Sequence, residues 1–300
     1  MSASSIELVC GTDIGLLRSR NEDNVAIWPE HSLAILADGI GGNNAGQLAS
    51  KVAVDATYKN WINTVANMSG TGSGFSGSVS GDLLMVAVSI ANHQIHDLVK
   101  AEADLDGMGS TIIACHFGDD AVHVVHLGDS RLYQLRDGML TQMTVDHTFA
   151  QRSYELGEIK ETEINTYPGG NFLLKSLGAD LAIEPDILEI PPQQSDLYLL
   201  CSDGLSDMLE PNEITTTLTE NSTNLETAVQ ALIDQANANG GRANIAIALA
   251  RYPSACLPSS IQSTNSANEE IGTVSKPVGR FLILFLDGRT AHSKPRLAAS

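Results

Sequence analysis

Short apolar runs recur through the first 253 residues, separated by polar stretches that carry Gly, Asp or Asn. Leu33–Ala37, Thr111–His116, Val122–Leu127, Leu197–Cys201 and Ile245–Ala250 are five or six residues each. Runs of that length, rich in β-branched and bulky residues, predict strands. The segments 111–117, 121–127 and 131–136 follow one another closely. Connections of three or four residues cannot cross over to a parallel neighbour, so these segments predict antiparallel hairpins. Asp119-Asp120 and Arg136-Asp137-Gly138 supply the turn chemistry. Longer stretches of helical character, Ala45–Val65, Leu83–Ala103 and Leu225–Ala238, lie between the strand groups. Hairpins with segregated long helices predict an α+β fold in which helices pack on antiparallel sheets.

Two segments break this pattern. Residues 69–81 are rich in Gly and Ser and predict a flexible connector. Residues 254–276 are rich in Ser, Asn and Pro and read as a linker, followed by a tail with the apolar run Phe281–Leu286. The expected organisation is one domain over 1–253, then a linker and tail of unknown role over 254–300.

Composition narrows the function. Hydrophobic residues make up 43%, enough for a large core and against wholesale disorder. There are 17 Lys+Arg against 36 Asp+Glu, a formal net charge of −19. That excludes the basic footprint needed for nucleic acid and argues against docking on anionic lipid. The acidity belongs to residues 1–253, with 12 basic and 33 acidic groups, whereas 254–300 hold 5 and 3. Cys10, Cys115, Cys201 and Cys256 lie far apart with no C-x-x-C, which is neither a disulfide framework nor a zinc site. A reduced, cytoplasmic setting is expected. The N-terminus lacks a basic, then apolar leader pattern, and the six-residue run Phe281–Leu286 falls short of the roughly 20 residues of a membrane span.

The chemistry is signalled by aspartates beside glycines at strand ends. Leu33–Ala37 runs into Asp38-Gly39, Val122–Leu127 into Gly128-Asp129, and Leu197–Ser202 into Asp203-Gly204. One Asp-Gly is ordinarily a turn. Three carboxylates held at strand mouths and converging on one place would repel one another unless a cation sat between them. All-oxygen ligands suit a hard cation, Mg²⁺ or Mn²⁺. A fourth cluster, Arg18-Ser-Arg-Asn-Glu22-Asp23, places arginines just before an acidic pair. It reads either as a phosphate grip beside metal-binding acids or as an exposed charged loop.

Six motifs occur in order: Gly11 to Asp23, Asp38-Gly-Ile-Gly-Gly42, Gly109-Ser-Thr111, His126-Leu-Gly-Asp129-Ser-Arg-Leu-Tyr133, Asp146-His147, and Leu199 to Asp207. Together they resemble the metal-dependent serine/threonine protein phosphatase family (PPM, type 2C) in its compact bacterial form, over residues 6–251. The resemblance implies a four-layer α-β-β-α sandwich, two antiparallel sheets flanked by helices. It implies two or three Mn²⁺ or Mg²⁺ ions, with a metal-bridging hydroxide attacking phosphorus in line. Carried over by position, Asp38 would bridge two metals and the Gly39 carbonyl would bind one of them. Asp203 would hold the first metal, Asp23 with Glu22 nearby the second, and Asp129 a weaker third. Arg18 would hold the substrate phosphate. The implied partners are phosphorylated proteins, with a serine/threonine kinase and its substrates as counterpart, and the chain is expected to be a monomer. Residues 148–180 would form the flap beside the site, bending at Pro168-Gly169-Gly170 and contacting protein substrates.

Three departures qualify the resemblance. The family's Gly-Gly-x-Asp-Asn reads Gly240-Gly241-Arg242-Ala243-Asn244 here, so Ala243 occupies an expected ligand position. Loss of one anionic ligand weakens a hard-cation site. Asn244 is an awkward substitute, because adjacent residues of an extended chain face opposite ways. Ile40 stands where eukaryotic members carry a His, leaving the general acid unassigned. The tail matches none of the motifs. The leading expectation is therefore a phosphoserine/phosphothreonine phosphatase weakened at Ala243. The alternative is a catalytically impaired phosphatase-like module that binds phosphoproteins. Of the remaining signals, Gly72–Gly77 spells G-x-G-x-x-G without the preceding strand that a dinucleotide site needs. His123 and His126 should face opposite sides of one strand, one of them buried, with His126 orienting the Asp129 loop.

Overall fold

The computed structural model describes residues 6–42, 44–69 and 77–253, with backbone only for 68, 69 and 77–80. In chain order the elements are β1 (Glu7–Asp13), β2 (Asp23–Trp28), β3 (Leu33–Ile40), α1 (Ala45–Ser69), α2 (Gly77–Ala101), β4 (Gly109–Ser110), β5 (Ile112–Phe117), β6 (Val122–Leu127), β7 (Arg131–Arg136), β8 (Met139–Gln142), α3 (Phe149–Glu155), β9 (Asp186–Ile190), β10 (Leu197–Cys201), α4 (Asp203–Ser206), α5 (Pro211–Glu220), α6 (Leu225–Ala238) and β11 (Ile245–Arg251). One sheet has the order β1-β11-β10-β7-β8; the other has β2-β3-β5-β6-β9, with β4 paired to β3. Every pairing is antiparallel, including the expected β5-β6 hairpin. The fold is α+β, two antiparallel sheets flanked by helices, as expected.

Strand alternation builds the layers. In β3, Leu33, Ile35 and Ala37 join α1 and α2 residues such as Ala49, Val54 and Val88 in one core. Ala34 and Leu36 point the other way, into a core between the sheets with Ile113, Tyr198, Leu200 and Ala248. In β11, Ile245, Ile247 and Leu249 pack with α6 residues, whereas Ala246, Ala248 and Ala250 face the other sheet. Strands covered on both faces read as continuous apolar runs, which is why the sequence displays them so clearly. The same double cover corrects one expectation: His123 and His126 are both buried, at 3% and 0% exposure.

The Gly/Ser-rich segment expected as a connector is only partly so. Gly77–Gly81 already belongs to α2. Residues 70–76, with most of the G-x-G-x-x-G, and the expected linker and tail over 254–300 lie outside the described residues. The Thr-rich run 215–219 is helical, inside α5.

Register brings the chemistry to one end of the sandwich. Asp23 at the start of β2 pairs with Asp38 near the end of β3. Ile112 pairs with Leu127, just before Gly128-Asp129. Cys201, just before Asp203, pairs with Ile247 of β11 and with Arg131. Asp23, Asp38, Asp129, Asp203 and Ala243 are thereby delivered to neighbouring strand mouths.

Candidate active site

A pocket of about 260 Å³ opens at that end. Its lining includes Arg18, Glu22, Asp23, Asp38, Gly39, Asp129 and Asp203, together with Ala243. All the predicted site residues therefore meet in one place, and Ala243 faces them.

Each is held by its local backbone. The Asp38 N–H donates to Thr111 Oγ1 at 2.9 Å, and the Asp38 carbonyl accepts from the Thr111 N–H at 2.8 Å and from Ser110 Oγ at 2.9 Å. Gly39 donates its N–H to the Glu22 carbonyl at 3.2 Å. A Cβ on Gly39 would lie 2.0 Å from the Gly46 carbonyl oxygen, so only glycine allows this approach. Ser202 Oγ donates to Asp23 Oδ2 at 2.6 Å, tying the residue before Asp203 to β2. Arg18 is exposed and anchored, its Nε donating to the Arg242 carbonyl at 3.2 Å. Leu16 and Leu17 donate to the Gly241 carbonyl at 2.7 and 3.2 Å. The arginine loop thus rides on the 240–244 turn.

Asn244 is the clamp for this arrangement. Its Oδ1 accepts the Glu22 N–H at 2.8 Å, and its Nδ2 donates to the Ile14 and Arg20 carbonyls at 2.8 Å each. Its amide is occupied by the loop on both its oxygen and its nitrogen.

Burial and mutual repulsion disfavour charge throughout the pocket. Burial raises Asp23 to about 7, with Asp203 adding repulsion and the Ser202 hydrogen bond opposing it. Burial, then Asp23, Asp203 and Asp129, push Asp38 well above the usual carboxylate range. Asp129 rises to about 8 through burial and the charges of Asp203 and Asp146. Asp203 rises to about 6 through burial and Asp207, with Arg18 pulling it back. With its neighbours ionised, Asp23 Oδ1 is buried without a hydrogen-bond donor. Crowded carboxylates with an unsatisfied oxygen form a donor set that fits a hard divalent cation.

Several residues in and around the pocket carried no assigned role in the sequence reading. Thr111 was visible only as part of a motif, and Ser202 only by adjacency to Asp203. Asn171 and Leu173, from the 148–180 segment, also line the pocket. Long-range pairing of Thr148 with Leu173 brings them there, which no local pattern discloses.

The protein phosphatase 2C profile matches residues 18–249. The chain belongs to this family. It is 34% identical over 241 residues to the serine/threonine phosphatase Stp of Listeria monocytogenes, covering 79% of this chain and 92% of that protein. Among solved structures it resembles the Mycobacterium tuberculosis serine/threonine phosphatase PstP/Ppp, with a TM-score of 0.74, 33% identity, and 83% of this chain and 100% of that one covered. The catalytic domain of PstP in complex with two manganese ions superposes with a TM-score of 0.71 and 33% identity, over 82% of this chain and 98% of that chain. The phosphatase 2C family match includes all the pocket carboxylates and leaves out only β1 and the last two residues of β11 among the strands. Among the described residues, no helix is long and apolar enough to cross a membrane.

Proposed function

We propose that this protein hydrolyses phosphoserine and phosphothreonine in phosphorylated proteins, using Mn²⁺ or Mg²⁺ held by Asp23, Asp38, Asp203 and the Gly39 carbonyl, with Asp129 and Glu22 supporting. The observation that carries this reading is the convergence of Asp23, Asp38, Asp129 and Asp203 in one pocket. The relatives' names support the substrate class. A serine/threonine kinase is the natural counterpart, and a cytoplasmic monomer the expected form. Cys115 and Cys201 are buried with their thiols pushed up by burial, so neither is a reactive thiol.

When bound, divalent cations neutralise charge on phosphoryl oxygens and lower the pKa of water. The chain's own residues supply the rest. Arg18 binds the phosphoryl group through its guanidinium, and its anchor on Arg242 keeps it at the pocket rim. The carboxylates hold the cations and accept no covalent bond from the substrate. Water attacks phosphorus, the bond from phosphorus to the serine or threonine oxygen breaks, and phosphate and the free alcohol leave. Ile40 lines the pocket and offers no proton, so the group that protonates the alcohol is unassigned, and water can serve. The 148–180 segment, as the flap, meets the protein part of the substrate beside Asn171 and Leu173.

Ala243 favours a second reading, a module that binds phosphoproteins and turns them over weakly. The experiment that separates the two is hydrolysis of a phosphothreonine peptide by chelator-stripped protein while Mn²⁺ is added, with Ala243→Asp run alongside. Turnover in both, with Mn²⁺ affinity raised about tenfold in the Asp form by one more anionic ligand, supports the phosphatase. Turnover only in Ala243→Asp supports the binding module. Turnover in neither rejects the phosphatase reading.

A further inference from the structure

Asp146 and His147 stand at the root of the flap segment and line none of the pocket. They nevertheless grip the loop that carries Asp129 at both of its ends. The Gly128 N–H donates to His147 Nδ1 at 3.0 Å, and the His147 N–H donates to the Gly128 carbonyl at 2.8 Å. Arg131 forks onto Asp146, with Nε at 3.0 and 3.1 Å and Nη2 at 2.7 Å. This pair is largely buried, with side-chain exposures of 18% and 11%, so it is more than a surface contact. Between the two grips, Ser130 Oγ meets Thr111 Oγ1 at 2.8 Å, the same oxygen that accepts from the Asp38 N–H. Gly128 has φ +115°, and a Cβ there would lie 2.6 Å from the Thr111 side chain. Glycine is what lets the chain turn this way and pass so close to Thr111.

His147 invites a different reading. His126, His147 and Asp186 bring possible ligand atoms within 4.8 Å of one another. The Gly128 hydrogen bond argues against a metal there. An Nδ1 that accepts a proton leaves Nε2 carrying the hydrogen in the neutral ring, and a protonated nitrogen does not ligate. His147 Nε2 instead faces Asp186 Oδ1 at 3.4 Å. His126 stacks on His147 with centroids 4.9 Å apart and 17° between planes. Its ring is fully buried. His126 was expected to orient the Asp129 loop; its ring reaches the backbone of Ser130, beside Asp129, and also supports the His147 ring.

We propose that Asp146 and His147 are positioning residues that set the place of the Asp129 carboxylate by clamping Gly128 and Arg131. This rests on the reading of Asp129 as a cation-holding residue. The clamp belongs to the first leg of the flap, because the Leu174 N–H donates to the His147 carbonyl at 2.8 Å and Thr148 bridges Leu173. The flap root and Asp129 are therefore one mechanical unit.

The test is calorimetric titration of Mn²⁺ into chelator-stripped full-length protein, with phosphopeptide hydrolysis and metal-free melting measured in parallel. His147→Leu removes the acceptor and should weaken the Asp129-dependent Mn²⁺ step about tenfold, the low end of what outer-shell changes cost. His147→Asn keeps an acceptor oxygen near the Nδ1 place and should recover most of that loss. Arg131→Lys keeps the charge, loses the fork, and should also weaken binding, which covers the case in which His147→Leu does not fold. On an Asp129→Asn background, none of these substitutions should weaken binding further. Losses that add to Asp129→Asn, or an Asn variant that binds as weakly as Leu, would overturn the proposal. Asp129→Asn that binds Mn²⁺ like the unaltered protein would instead overturn the reading of Asp129 itself.

Discussion

The strands β3, β5 and β6 carry ionisable groups at both ends, and the two ends behave differently. At the pocket end β3 and the turn after β6 present Asp38 and Asp129. At the other end Leu33 pairs with His116, and His116 pairs with His123. There His116 stacks on His123 with centroids 6.1 Å apart and meets the tilted Trp61 ring at 5.3 Å. Burial lowers His116 to about 4, with His123 adding to the effect, much as burial raises the aspartates. In both places a low-dielectric interior disfavours the charged form. The consequence depends on the group. A histidine that loses its charge becomes a neutral ring and joins the core at neutral pH. An aspartate raised to about 7 or 8 competes for a proton at neutral pH, and a divalent cation can take that proton's place. Burial thus favours packing at one end and cation affinity at the other.

The largest effect expected is from Asp38→Asn. It should lower phosphopeptide hydrolysis at least about a hundredfold, since several kcal/mol of charge stabilisation depend on the cation site. It should also raise the melting temperature of chelator-stripped protein at alkaline pH, where the raised carboxylates ionise and one repelling charge is gone. A lower metal-free melting temperature would show that the pocket charges are not strained, and the contrast between the two ends would collapse. Next in size, Arg18→Lys should raise KM for a phosphopeptide about tenfold with little change in kcat, as a bidentate contact becomes a point charge. An unchanged KM would remove Arg18 from the phosphate site.

The pH dependence of metal-free protein sharpens the comparison further. Asp23, Asp129 and Asp203 have folded values of about 7, 8 and 6, above their unfolded values. Carboxylates raised in this way leave the fold most stable at low pH, and that stability is lost as pH rises toward the folded values. Melting temperature should therefore fall from about pH 4 to about pH 8 without metal, by at least a few degrees, and saturating Mn²⁺ should flatten the profile. A flat metal-free profile would contradict the raised carboxylates. The smallest effect belongs to the other end. His116, lowered to about 4, costs stability as pH falls from its unfolded value near 6.5 toward 4. His116→Phe should reduce the acid-side loss of melting temperature and leave hydrolysis at neutral pH unchanged; altered turnover would mean that the ends are coupled.

Legibility in the sequence followed burial. Val122–Leu127, Leu197–Cys201 and Leu225–Ala238 match β6, β10 and α6 residue for residue, because two-sided cover or a strong apolar face writes a dense pattern. β9, Asp186–Ile190, went unread: it is an edge strand with a half-exposed pattern. The threonines of α5 are weak helix formers, and the helix is held by devices that propensity alone does not reveal. Pro211 opens it, Glu210 and Glu213 cap each other, and Thr215 and Thr219 bond back to carbonyls four residues earlier at 2.7 Å.

The sequence by itself determined the α+β class, the family, and the set Arg18, Glu22, Asp23, Asp38, Gly39, Asp129 and Asp203, with Ala243 as the odd member. Local spacing at strand mouths marked Asp38, Asp129 and Asp203, and the resemblance over six ordered motifs supplied Ala243 and the rest. Only the tertiary structure decided what holds those groups. Asn244 clamps the loop before Glu22, Ser202 ties Asp23, and His147 grips Gly128. Those partners lie 222, 179 and 19 residues apart in the chain. Hydrogen bonds over such separations depend on sheet order and register, and these are set when the whole core packs rather than by any one segment.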